Sequence, residues 1–201
     1  MSSLGSILIS SFDYVDFTFA ENDELFELVN TKKLDFAIVT KQYDTFDTIH
    51  KKIGQIKLIL VGATTIDTSV FKEEIKIKNL TVIENWLKQQ KWYSYDARIP
   101  HIKLFWMYVF NKKRPSIVAN YIIPSEYEML QILAKNKGVA IVWDCNAQNL
   151  LKDKKIQLLW DSDDMPSSTV YLLSGKKESL TSVFNELQTK LQDELQKLFE
   201  V

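Results

Sequence analysis

Cysteine occurs once in the 201 residues, histidine twice, proline four times and glycine five times. With Cys145 alone no intramolecular disulfide forms, and a reducing cytoplasm is the expected compartment. His50 and His101 are the only histidines, and neither lies at ligand spacing from the other or from Cys145, so no metal site is expected. There is no Gly-rich phosphate loop, no GxGxxG and no G-x-S-x-G, so no cofactor and no catalytic residue is assigned and the chain is read as a non-enzyme. The scarcity of glycine and proline implies short loops without a flexible linker. No apolar run approaches a membrane span, and the start MSSLGSILISSFDY lacks the positive region of a signal peptide. Charge is balanced, Lys+Arg 25 against Asp+Glu 26, which argues against a direct grip on nucleic-acid phosphates.

What is present is 46% hydrophobic residues in short, patterned runs. The clearest unit runs from Arg114 to Asn146. Ser116–Ile123 is β-branched and apolar and stops at Pro124, as a strand does at a breaker. Ser125-Glu126-Tyr127-Glu128 fits a capping box, in which the serine hydroxyl accepts a backbone N–H three residues on. Met129, Leu130, Leu133 and Ala134 share one helical face, and Gly138 supplies a left-handed stop. Val139–Trp143 is short and wholly apolar, which suits a strand covered on both faces. Such a βαβ unit leaves a helix N-terminus at the carboxyl edge of a sheet, where ligands tend to bind.

The rest of the chain reads the same way. Val15–Phe19 alternates as a half-buried strand, and Asn22 or Asp23 caps the helix that follows. Leu34–Val39 and Ile56–Val61 are strands, Thr81–Glu84 opens a short helix, and Trp92–Tyr95 is a further strand. Pro100 starts a helix with the stripe Ile102, Phe105, Trp106, Val109 and Phe110. Ile156–Trp160 and Thr169–Leu173 are strands around the polar turn Asp161–Ser168. Leu180 to Leu198 carries a terminal amphipathic helix. Alternating strands and helices predict a parallel α/β sheet.

Most candidate chemistry has a plainer explanation. Asp161-Ser162-Asp163-Asp164 lacks the glycine and glutamate of an EF-hand loop and is read as a solvated turn. Lys112-Lys113-Arg114 offsets a helix C-terminus. The aromatic residues between Trp86 and Phe110 fit core faces; only Tyr95, beside Asp96 and Arg98, is kept as a candidate ligand contact.

Four stretches in order carry a resemblance: DYVDFTFAENDELFELVNTKKLDFAIV, IKLILVG, SEYEMLQILAKNKGVAIV, and KDKKIQLLW with SSTVYLLSGKK before a terminal helix. From about Tyr14 onward the chain resembles the effector-binding domain of LysR-type transcriptional regulators. The resemblance implies two Rossmann-like lobes of the type 2 periplasmic-binding-protein fold, Met1–Gly62 with Met165–Val201 and Ala63–Asp164. It implies a small-molecule effector between the lobes, a homodimer through Asn22–Asn30 and Val15–Phe19, and a signal passed by lobe movement to DNA. The contact with DNA would come only through an N-terminal winged helix-turn-helix that this sequence does not show. Carried over by position, the effector contacts are Thr40 and Lys41, Asp96 and Arg98, Ser125, and Trp143 and Asp144. Ser125 and Arg98 together suit a carboxylate or phosphate. Asp144 stands where the family has a proline, and Met1–Asp13 is short for the family's first strand and helix, leaving Ile7–Phe12 as the end of that helix or a substitute strand. The alternative reading is a stand-alone binding or interaction protein on the same fold without a DNA role.

Overall fold

The stretch Val139–Trp143 (β5) is buried on both faces, and the reason is visible in its neighbours. In the computed structural model, which describes residues 9, 13–43, 45–176 and 181–199, the chain forms two compact units. The first comprises residues 1–56 and 168–201, the second 57–167.

In the second unit the strand β2 (Thr48–Ala63) enters at Lys57. It pairs antiparallel with β5 on one side and with β6 (Ile156–Trp160) on the other. β5 then pairs parallel with β3 (Trp92–Ser94), and β3 parallel with the two-residue β4 (Tyr121–Ile122). The period-2 alternation of β2 and β5 divides the core in two. Leu58, Leu60, Val139 and Ile141 face one way, onto Phe71, Ile83, Leu87, Ile102, Phe105 and Trp106. These come from α2 (Ser69–Lys76), α3 (Leu80–Lys88) and α4 (Pro100–Phe110). Ile59, Val61, Ala140 and Val142 face the other way, onto Met129, Leu130, Leu133, Ala147 and Leu150. Those belong to α5 (Glu126–Leu133) and α6 (Asp144–Lys152). A sheet sandwiched between helices therefore needs strands that are apolar throughout, as VAIVW is. Gly138 sets up β5: its φ of 137° is open to glycine, and a Cβ there would collide with the Lys91 carbonyl.

In the first unit α1 (Asn22–Asn30) and β1 (Phe36–Val39) bury Val29, Ala37 and Val39 with Leu173. β1 runs antiparallel to β7 (Ser167–Gly175), which neighbours β2. The long α7 (Thr181–Phe199) buries Phe184, Leu187, Leu191 and Leu195. Leu195 reaches Gly54 of β2 so closely that a Cβ at that glycine would lie 2.9 Å from Leu195 Cδ1.

Several expectations change. The sheet is mixed: β3 pairs parallel with β4 and β5, while β1 with β7 and β2 with β5 and β6 run antiparallel. Val15–Phe19 forms no regular element, because alternation supplies no hydrogen-bonding partner by itself. Only Tyr121–Ile122 of the Ser116–Ile123 run is paired. The cap of α3 is Asn79, whose side chain accepts the Val82 N–H, in place of Thr81. Ile7, Leu8, Ser10 to Phe12 and Leu180 lie outside the described residues. Among those described, no helix is long and apolar enough to cross a membrane.

Candidate functional site

Three parallel strands of the second unit, β3, β4 and β5, end at one edge, and each leads into the start of a helix: α4, α5 and α6. β5 runs into α6 with no loop between them, Trp143 being the N-cap. This puts side chains from three separate turns side by side, which is the usual place for a ligand on a parallel sheet.

His101, on the first turn of α4, is the hub. Its ring lies 4.7 Å from that of Tyr95 and 5.3 Å from that of Trp143, the latter edge-on. Nδ1 is 3.4 Å from the Ile141 carbonyl oxygen and 3.1 Å from Glu126 Oε1. The other oxygen of Glu126 accepts a 2.7 Å hydrogen bond from Asn146 Nδ2. Glu126 Oε1 is buried and has no well-aligned hydrogen-bond donor, so its contact with the imidazole is electrostatic. Both side chains of the pair are nearly inaccessible, at 9% and 12% exposure.

Of the residues singled out by sequence, Tyr95 and Trp143 join this cluster through His101. Asp144 turns away. Its carboxylate accepts the Cys145 N–H at 2.8 Å and a backbone N–H from Lys57. Burial pushes Asp144 up to about 6, with nearby Asp161 adding to the effect and the two amides and the Lys57 charge opposing it. Burial pushes the adjacent Cys145 thiol up to about 12, helped by Asp144 and Glu126, so it is no thiolate nucleophile at neutral pH.

Asp96 and Arg98 pair with each other. The Arg98 backbone N–H, Nε and Nη2 all donate to the Asp96 carboxylate, at 2.6, 3.0 and 2.5 Å. These bonds hold the Asp96 carboxyl at about 2. Ser125 is exposed and caps α5 by accepting the Glu128 N–H at 3.3 Å. The positive ends of α5 and α6 are met by the chain's own Glu126, Glu128 and Asp144.

Thr40 and Lys41 belong to the first unit and are engaged by the start of α1. Asn22 donates to Thr40 Oγ1 at 3.0 Å and accepts the Thr40 N–H at 2.9 Å. Lys41 Nζ and the Tyr43 hydroxyl both donate to Asp23 Oδ1, at 2.7 and 2.6 Å. The Lys41 bond, then the Tyr43 bond, lower the Asp23 carboxyl, while burial and then Asp23 raise the Tyr43 phenol. Asn22 and Asp23 are thus tied to the β1 end, and the N-cap of α1 is Glu21, without a side-chain cap bond.

His101, Glu126 and Asn146 were not expected. Their common signal is position: each stands within the first three residues of a helix that follows a strand of the β3, β4, β5 set. Among the described residues no group of three His, Cys, Asp or Glu is placed to hold a metal.

No protein-family model matches the sequence, and no curated protein matches it. Solved structures do match in fold. The regulatory domain of MetR, a LysR-family regulator from N. meningitidis, superposes with a TM-score of 0.62 at 11% identity, over 96% of this chain and 85% of that one. Full-length LysG from Corynebacterium glutamicum, with its effector Arg bound, gives 0.65 at 9% identity, over 95% and 61%. A cysteine mutant of C. glutamicum OxyR gives 0.63 at 13% identity, over 98% and 60%. The chain therefore has the α/β fold of LysR-type regulatory domains, and spans about three-fifths of the full-length regulators it matches.

Proposed function

We propose that this chain is an effector-binding regulatory module that takes a small polar molecule and passes its occupancy to a DNA-binding domain. One observation carries the reading: the fold extends over 95% of the chain onto a regulator holding its effector, arginine. In the second unit the ligand contacts are Tyr95, His101, Glu126, Trp143 and Asn146, flanked by Ser125, Asp96 and Arg98. Aromatic walls with a few convergent polar groups are the usual make-up of a small-molecule site. An anionic effector requires Arg98 to leave Asp96, whereas an amine finds Glu126 already short of a donor. Signalling then follows from any difference in affinity between two arrangements of the protein.

The test is thermal melting against a panel of amino acids and carboxylates, arginine included. A true ligand raises the melting temperature progressively with its logarithmic concentration. Replacing Ser125 and Arg98 together by alanine abolishes the shift if the ligand is an anion, and Glu126→Gln abolishes it if the ligand is a cation. A ligand that stabilises both variants as it does the wild type removes the site from these residues.

A further inference from the structure

β6 is an edge strand of the second unit, as the two-residue β4 is at the other side of the sheet. Among the described residues it pairs with β2 alone, so its outer side offers unpaired backbone groups. Sheet edges of this kind are usually blunted by a charge or a proline within the strand. Ile156-Gln157-Leu158-Leu159-Trp160 has neither. Leu158 is 43% exposed at its centre. Beside it runs a groove of about 680 Å³, walled by α2 residues including Val70 and Glu73 and floored by Leu158 and Leu159. Val70, at 53% exposure, extends the apolar surface across the groove. Glu74 in the same wall keeps a buried carboxylate oxygen, Oε2, without a hydrogen-bond donor.

The charges around the strand say what fits. Lys152-Asp153-Lys154-Lys155 precedes it with a net charge of +2, and Asp161-Ser162-Asp163-Asp164 follows it with a net charge of −3. Lys154, Lys155, Asp163 and Asp164 are all exposed. Within the chain Lys155 pairs with Asp153 and Lys57 with Asp161, while Lys154, Asp163 and Asp164 have no ion pair among the described residues. A strand with a basic head and an acidic tail is complementary to itself when inverted. We propose that β6 is a self-association surface on which a second copy of this chain lays its own β6 antiparallel, the lysine end of each strand against the aspartate end of the other. Such a contact is isologous and closes at two copies. Backbone hydrogen bonds supply the affinity, and the paired charges set the direction. A five-residue edge buries little area, so the association is weak and is weakened further by salt.

Sedimentation velocity over a rising concentration series, at about 50 mM and about 500 mM salt, reads the association. Two charge-reversed chains test its chemistry: Asp163→Lys with Asp164→Lys, and Lys154→Glu with Lys155→Glu. Each alone loses self-association about tenfold or more, because like charges then face each other at both ends. Mixed, the two recover it, since every contact becomes complementary again. Carbodiimide coupling of wild-type chains, half of them isotope-labelled, should join the 152–155 segment of one copy to the 161–164 segment of another. That readout needs no variant to fold, and it separates this face from any other through which the chain assembles. A wild type without that cross-link at high concentration and low salt overturns the proposal and leaves the face to a different protein. So does a pair of charge-reversed chains that assemble as well alone as when mixed.

Discussion

The two strand ends that carry the candidate ligand contacts are built from similar parts and held in opposite ways. At the end of β1, Asn22, Asp23, Thr40, Lys41 and Tyr43 make short polar contacts, and Asp23 and Lys41 keep 75% and 56% of their side chains in water. After β3, β4 and β5, His101, Glu126 and Asn146 make comparable contacts, with His101 and Glu126 only 9% and 12% exposed and the His101 ring against those of Tyr95 and Trp143. An exposed bond competes with water at every moment and can be exchanged for a ligand at little cost. A buried one cannot be left unmade, since each lost partner strands a desolvated group. The polar cluster of the second unit is thus the costlier of the two to open, and that of the first exchanges its partners with water.

The contrast is broken most severely at His101. His101→Ala removes the ring between Tyr95 and Trp143 and leaves Glu126 Oε1 without the imidazole nitrogen that lies 3.1 Å from it. The cavity and the stranded carboxylate together cost about 2–4 kcal/mol, read as a lower urea midpoint at unchanged slope. Glu126→Gln keeps the shape and the Asn146 contact while removing the charge. Its cost is smaller, about 1 kcal/mol. A His101→Ala chain as stable as the wild type would mean that the buried cluster contributes nothing to the fold.

Asp144 sharpens the comparison through pH. Its folded carboxyl, pushed up to about 6 chiefly by burial, lies above the ordinary aspartate value. The folded state therefore holds the proton more tightly than the unfolded chain does. Its contribution to stability is greatest below the unfolded value, near pH 4, and is lost as pH rises through 6. The rise from the ordinary value to about 6 corresponds to roughly 3 kcal/mol at most. Asp144→Asn keeps an oxygen for the Cys145 and Lys57 amides and flattens this part of the stability profile between about pH 4.5 and 7. Urea midpoints at several pH values, wild type against variant, give the slope directly, and equal slopes would place the titration elsewhere.

How far the sequence reaches follows from the same physics. β5 was legible because a strand covered on both faces must be apolar at every position, and α5 because Ser125 caps it as its spacing indicates. α6 was not: DCNAQNLLK buries only Asp144, Ala147 and Leu150, too few apolar residues to show a face. The first half of β2 was missed because Lys51 and Lys52, adjacent and both exposed, interrupt the apolar alternation on both faces. Strand direction was misread because local patterning carries no record of which distant strand lies alongside. The site suffered likewise. Tyr95 was singled out beside Asp96 and Arg98 and Trp143 by its position in the resemblance, but His101, Glu126 and Asn146 come from three helices and meet only once the sheet has set the spacing of their first turns.

The smallest effect is expected where the first unit's polar contacts face water. Asn22→Ala removes both bonds to Thr40, one from its amide nitrogen and one to its amide oxygen. Water replaces each of them, so the loss is about 0.5–1 kcal/mol, at the lower edge of what a urea midpoint resolves. The larger consequence is local. With Asn22 gone, the Thr40 N–H has no side-chain acceptor holding it to α1, and its hydrogen exchange should accelerate while amides in β5 keep their protection. Exchange measured on both strands in one sample decides the point. Acceleration confined to the end of β1 supports a loosely held first-unit surface, whereas equal acceleration in β5 would make the two ends one cooperative structure and dissolve the distinction between them.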